Sequence, residues 1–266
     1  MSSLVNRIAV SIVALPLVLG LVYVGGWALL GLGLAAALVA VHEYAELVRP
    51  LRPLVLAAYL GAGAMLVGAS LGGLQWLLGG FLATLLVAFV MQGLAGTSQP
   101  ATVSVGSTML GAAWIGLGIG HVLLLRDLEH GRLAIITVLL AVFAADTFAF
   151  FGGRLVGRHR MAPVMSPRKT WEGFVTGTTA AVAVAFFAIY PDRDAFLNVW
   201  QSLVLGAVRA LAAALGDLFE SAIKRDMGAK DSGRLLGAHG GILDRLDGHL
   251  FAAPAAYYLI AGFGHA

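Results

Sequence analysis

The sequence predicts an all-α integral membrane protein, a polytopic bundle of about nine transmembrane helices with a cytoplasmic N-terminus and an external C-terminus. Three observations lead there. Of 266 residues, 59% are hydrophobic and 12% charged, against about 25% charged in an ordinary soluble domain. Surface-to-volume scaling leaves a soluble chain too few polar groups to cover that much apolar surface. The apolar residues also fall in runs of the length that a hydrocarbon core of about 30 Å requires, roughly 17 to 25 residues per helix. Finally, the basic residues divide unevenly between alternate loops.

Taken in chain order, the spans cover 6–24, 27–48, 54–71, 74–95, 105–126, 132–152, 172–190, 195–217 and 249–264. The first follows Arg7 as a signal peptide would. Its apolar run is longer than a secretory core, lacks a small-residue cleavage pattern and is succeeded at once by another run, so it reads as a retained helix. The third, short and rich in Ala and Gly, matches the template least well. With the N-terminus inside, the cytoplasmic loops carry thirteen basic residues: Arg7, Arg49, Arg52, Arg154, Arg158, Arg160, Arg168, Lys169, Lys224, Arg225, Lys230, Arg234 and Arg245. The opposite side carries Arg126, Arg132 and Arg193, and Arg209 is left within the eighth span. That bias sets the orientation.

The chain is also asymmetric along its length. Residues 1–130 read as scaffold helices with short loops, and 131–266 as a catalytic region of the same membrane domain, holding two charged, Gly-rich cytoplasmic connectors at 153–171 and 218–248. Ten of the fourteen acidic residues lie between Asp146 and Asp247. There are no cysteines, which excludes disulfides, zinc–thiolate sites and thiol nucleophiles. No P-loop, nucleophile elbow or zincin motif occurs.

Three stretches can carry chemistry. In "ALGDLFESAIKRD", Asp217, Glu220, Ser221 and Lys224 share one face if the eighth helix continues beyond the membrane. Their oxygens suit a hard divalent cation, with Lys224 and Arg225 placed for phosphate. A solvated helix end with i,i+4 pairs explains the same residues. Asp217 and Asp146, at the edges of apolar spans, are functional candidates for that reason alone, and Glu43 and Glu46 are weaker ones that can simply reach the interface. In "HGGILDRLDG", Asp244 and Asp247 share a face if a helix opens there, and both helix capping and cation binding account for them. Gly240 and Gly241 allow backbone amides to approach an anion, and His239 is either a structural hydrogen-bonding residue or a ligand. In "GGRLVGRHRMAPVMSPRKTWEG", five basic residues suit anionic headgroups, while Ser166 or Thr170 can cap a helix with Glu172 in its first turn.

Ser221-x-x-Lys224-Arg225, Lys230-Asp231-x-Gly233 and His239-Gly240-Gly241-x-x-Asp244-Arg245-x-Asp247 together resemble the signature of phosphatidate cytidylyltransferases, or CDP-diglyceride synthases. "GDLFES", "SPRKTWEG" and Asp146 with Gly152-Gly153-Arg154 add supporting matches. Residues 1–130 match only in hydrophobic character. Two departures are Gly237-Ala238, where the family usually has Pro-Gly, and Arg168, where Lys is common; the latter keeps the charge but not the shape of the donor.

The resemblance implies the reaction of CTP with phosphatidic acid to give CDP-diacylglycerol and pyrophosphate at a bacterial inner membrane, with the active face cytoplasmic. It also implies Mg²⁺ dependence, K⁺ as a second cation, membrane lipids and a homodimeric partner as company, and no nucleic acid. The family's metal carboxylates map onto Asp217 and Asp244, with Asp247 in support. The catalytic set it implies is Asp217, Asp244, Lys224, Arg225, Lys230 and Asp231. The substrate-binding set is Ser221, Arg168, Lys169, Ser166, His239, Gly240, Gly241 and Arg245. A transporter using these charges as a vestibule would want them near mid-membrane in paired broken helices, and the D-G-x-x-A-R pattern of CDP-alcohol phosphotransferases is absent.

Overall fold

The computed structural model describes residues 16–94, 99–233 and 240–265. Helical residues 16–24 precede α1 (Gly26–Leu47), α2 (Val55–Leu94), α3 (Ala101–Asp127) and α4 (Gly131–Leu155). A short hairpin of β1 (Arg160–Ala162) and β2 (Ser166–Thr170) leads into α5 (Trp171–Ile189), α6 (Val199–Asp226) and α7 (Leu243–Gly262). Six of these helices, α1 through α6, are long and apolar enough to cross a membrane. The protein is therefore an all-α polytopic membrane protein with one small antiparallel hairpin inside the expected connector 153–171. Periodicity gave no sign of that hairpin.

Forty residues make α2 about 60 Å long if straight, twice the hydrocarbon thickness. It is not straight: Gly72 and Gly73 leave helical geometry, Gly73 at φ 67°. The arms on either side run back along each other. A Cβ added at Gly80 would stand 2.8 Å from the Met65 nitrogen, and one at Gly68 would stand 2.5 Å from the Trp76 carbonyl oxygen. Small residues are what permit backbones to approach so closely where the surrounding solvent is lipid. The arms correspond to the third and fourth spans of the sequence reading.

The chain forms two compact units, one of residues 1–124 with 229–245 and the other of 125–228 with 246–266. The second charged connector therefore divides: its described residues 229–233 and 240–245 group with the N-terminal helices. In the first unit α1 lies along α2. Buried Tyr44 donates to the Ser107 carbonyl at 2.8 Å and meets Trp114 edge-on, and Thr108 Oγ1 accepts from the Leu54 amide at 2.8 Å. In the second unit α5 packs along both α4 and α6. Its core is made of small side chains, Ala141, Ala145, Ala181 and Ala210 in one cluster and Val142, Ala213 and Ala252 in another.

Arg209 sits in that unit at 1% exposure. Its Nη2 donates to the Thr137 and Val138 carbonyls of α4, both at 2.8 Å, while Nε and Nη1 are buried without acceptors among the described residues. Buried charge satisfied only in part is weak evidence of stabilisation, and apolar replacement of similar volume is often neutral or stabilising by about 1–4 kcal/mol. Arg209→Met is thus expected to melt no lower than the wild type in detergent. A large drop in the thermal midpoint would make the two carbonyl contacts a required tie between α4 and α6.

Candidate active site

The site grows from the length of α6. Its N-terminus is set by a capping box in which Asn198 accepts from the Gln201 amide and Gln201 returns the bond to the Asn198 amide, each at 2.9 Å. Twenty-eight residues then run unbroken to Asp226, about 42 Å at 1.5 Å per residue, which exceeds the hydrocarbon thickness by two turns. The continuation on which the shared-face reading depended is present. Lys224 and Arg225 occupy the last turn, where the helix dipole favours cations.

On that terminal face the charges are paired by sign. Ser221 Oγ donates to Asp217 Oδ1 at 3.5 Å, and Lys169 Nζ lies 2.5 Å from Asp217 Oδ2. Lys224 Nζ lies 3.1 Å from Glu220 Oε2 with both side chains buried. Glycine at 216 lets the start of α7 approach closely: a Cβ there would overlap the Asp247 carbonyl oxygen. Asp247 consequently faces α6, within the field of Asp217 and Asp146. Burial first, then the Asp217 charge, pushes the Asp247 carboxyl up to about 7.

The hairpin delivers Lys169 to this face. Arg160 Nη1 closes it on the Pro167 carbonyl, and Arg225 Nε donates to the Met165 carbonyl at 3.3 Å. Glu172 accepts from the Arg158 amide at 3.1 Å and from the His159 amide and ring. Thr170 rather than Ser166 caps the following helix, its Oγ1 accepting from the Gly173 amide at 3.1 Å; Ser166 lies in β2. Arg168 is exposed on the same strand. Sequence reasoning assigned Lys169 to phosphate alone. Its pairing with a carboxylate 48 positions away leaves no local pattern.

The remaining candidates belong to the first unit. Asp244 accepts from the Ser232 amide (3.0 Å to Oδ2) and from the Gly241 amide (2.7 Å), so it closes the connector over the start of α7. Gly240 has φ 78°, and Lys230, Asp231 and Arg245 are exposed. His239 and Arg234 lie outside the described residues. Glu43, a weaker candidate in the sequence that could simply have reached the interface, is instead buried and accepts from the Leu243 amide at 2.8 Å.

Mg²⁺ takes hard oxygen donors, and Asp217, Glu220 and Asp247 are of that kind. Asp247 lies in the field of the Asp217 charge, and carboxylates so close together call for a proton or a cation among their oxygens. The residues present therefore fit a divalent ion in chemistry, although among the described residues no three acidic or His side chains converge as a ready-made ligand set.

A model of the cytidylyltransferase family matches residues 5–263. This chain belongs to the cytidylyltransferase family. Among curated relatives, the phosphatidate cytidylyltransferase of Mycobacterium bovis is 40% identical over 160 residues, which is 59% of this chain and 50% of that protein. The enzyme of the same name from Mycobacterium tuberculosis strain H37Rv is 40% identical over 160 residues, covering 59% and 47%. That of Staphylococcus haemolyticus is 38% identical over 152 residues, 57% of each chain. The chain spans about half the length of the curated relatives it matches.

Proposed function

We propose that this family member is a membrane-embedded phosphatidate cytidylyltransferase, converting CTP and phosphatidic acid to CDP-diacylglycerol and pyrophosphate. The observation that carries the reading is the sign-paired cluster at the end of α6. There Lys169 lies on Asp217 at 2.5 Å and Lys224 on Glu220 at 3.1 Å, with Asp247 against the same carboxylates, in a chain whose relatives bear that name.

Both substrates are anionic, and two unit charges 4 Å apart repel by about 4 kcal/mol at an effective dielectric near 20. Cationic side chains at the point of encounter are therefore the first requirement. Lys224 and Arg225 hold triphosphate oxygens, while Arg168 and Lys169 on the hairpin receive the lipid phosphate. Ser221 orients Asp217. Asp217 and Asp247 are the residues of the second unit that would hold Mg²⁺. When bound, Mg²⁺ supplies neutralisation and polarisation of phosphate oxygens. The phosphatidate oxygen forms a bond to the α-phosphorus as the bond to pyrophosphate breaks. No general base is needed, because the nucleophile is already ionised.

The finer membrane reading belongs here too. The chain crosses nine times, counting residues 16–24 within the first crossing and each arm of α2 separately, with the N-terminus and the catalytic face in the cytoplasm of a bacterial cell. It works as a homodimer with K⁺ as a second cation and without nucleic acid. Purified protein in detergent, given labelled CTP, phosphatidic acid and Mg²⁺, is expected to form labelled CDP-diacylglycerol. Chelation is expected to stop the reaction and added Mg²⁺ to restore it. No product from protein with an intact helical circular-dichroism spectrum would overturn the assignment.

A further inference from the structure

Glu43 lies one turn from the end of α1, flanked by exposed His42 and Glu46, yet is itself only 5% exposed. A helix end gives a carboxylate an easy route to water, so burial here needs a cause. Oε2 accepts from the Leu243 amide at 2.8 Å. Leu243 opens α7, and its N–H is among those that a helix leaves without an internal acceptor. Glu43 thus caps a helix from 200 residues away, where the dipole favours a negative charge. Its other oxygen, Oε1, is buried and has no hydrogen-bond partner among the described residues.

The backbone of the connector is moulded to this carboxylate. A Cβ at either Gly233 or Gly241 would overlap Glu43 carboxylate oxygens, and at Gly241 the Ser232 hydroxyl as well. Ser232 is buried, its amide taken by Asp244, which also accepts from Gly241. Two carboxylates, Glu43 from the scaffold and Asp244 from α7, therefore gather both flanks of the connector at 232–233 and 240–241. Lys230, Asp231, Gly240 and Arg245 lie in or beside the segments so held.

We infer that Glu43 is a positioning residue for the cytidylyl transfer, a latch by which a scaffold helix fixes the charged connector that serves CTP. The inference rests on the function proposed above. The test compares Glu43→Ala and Glu43→Gln in the full chain, by amide hydrogen exchange and by steady-state kinetics. In Glu43→Ala the Leu243 amide and segments 229–233 and 240–245 are expected to exchange about tenfold faster or more, the effect of losing one charge-assisted hydrogen bond, with 171–226 unchanged. KM for CTP is expected to rise by about the same factor, while KM for phosphatidate stays at its wild-type value. Glu43→Gln keeps an acceptor oxygen for Leu243 and is expected to restore both readouts most of the way.

Wild-type exchange at Leu243 in Glu43→Ala would overturn the latch. Faster exchange with an unaltered KM for CTP would overturn the positioning role. Should the wild type make no CDP-diacylglycerol, the enzymatic reading alone fails, and the exchange data still decide the latch. If Glu43→Ala does not fold, Glu43→Asp takes its place, since it keeps the charge but withdraws it by one methylene. The same rise in Leu243 exchange is expected, and its absence overturns the latch.

Discussion

Asp217→Asn is expected to abolish formation of CDP-diacylglycerol while leaving the protein folded. An amide of the same shape forfeits the negative charge. If that charge contributes about 4 kcal/mol to holding a cation 4 Å away, the loss is about three decades in rate. Stability should barely move. The Asp217 side chain is more than a third exposed and its bond to Ser221 is long, at 3.5 Å, so its pairing with Lys169 is worth no more than about 1 kcal/mol after solvent screening. Labelled CTP turnover and a thermal melt of the same sample check both halves. Wild-type turnover would remove Asp217 from the chemistry.

Lys224→Met is expected to lose activity and stability together. Lys224 and Glu220 are 11% and 1% exposed at the side chain, and removing one partner of a buried pair costs about 3–5 kcal/mol, because the other charge is left behind. The lower end applies here, since a carboxyl stranded in a buried site can take up a proton instead of staying charged. Adding Glu220→Gln removes the stranded charge, so the double variant is expected to recover most of the melting temperature and none of the turnover. A single variant as stable as wild type would show that the pair is not structural.

How much of this was legible in sequence depends on range. Span positions follow from composition over about 20 residues, so α1 and α3–α6 lie close to their expected places. The possible overrun of α6 and a cap by Ser166 or Thr170 were legible for the same reason, since both are decided within a few residues; the structure chose Thr170. What sequence could not show is which distant groups meet. Lys169 reaches Asp217 and Glu43 reaches Leu243 through folding of the whole unit. The β1–β2 hairpin was hidden for a related reason. Its strands are short, β2 contains Pro167, and it is held by side chains such as Glu172 and Arg160 rather than by alternation. Composition likewise marked 1–130 as bland scaffold, because one buried Glu in an apolar helix scarcely alters a sum.

The fold-back of α2 at Gly72–Gly73 has a consequence for membrane topology as parity. On the nine-crossing topology proposed above, this helical hairpin ends on the face where it began, so residues 55–94 add two crossings and no net inversion. The pair is topologically silent: loss of the whole hairpin would leave every downstream helix in its original sense, whereas loss of one arm would turn all of them over, carrying Asp217 and its basic neighbours to the wrong side of the bilayer. On that topology the two glycines fix not only a bend but the side of the membrane that the second half of the chain faces.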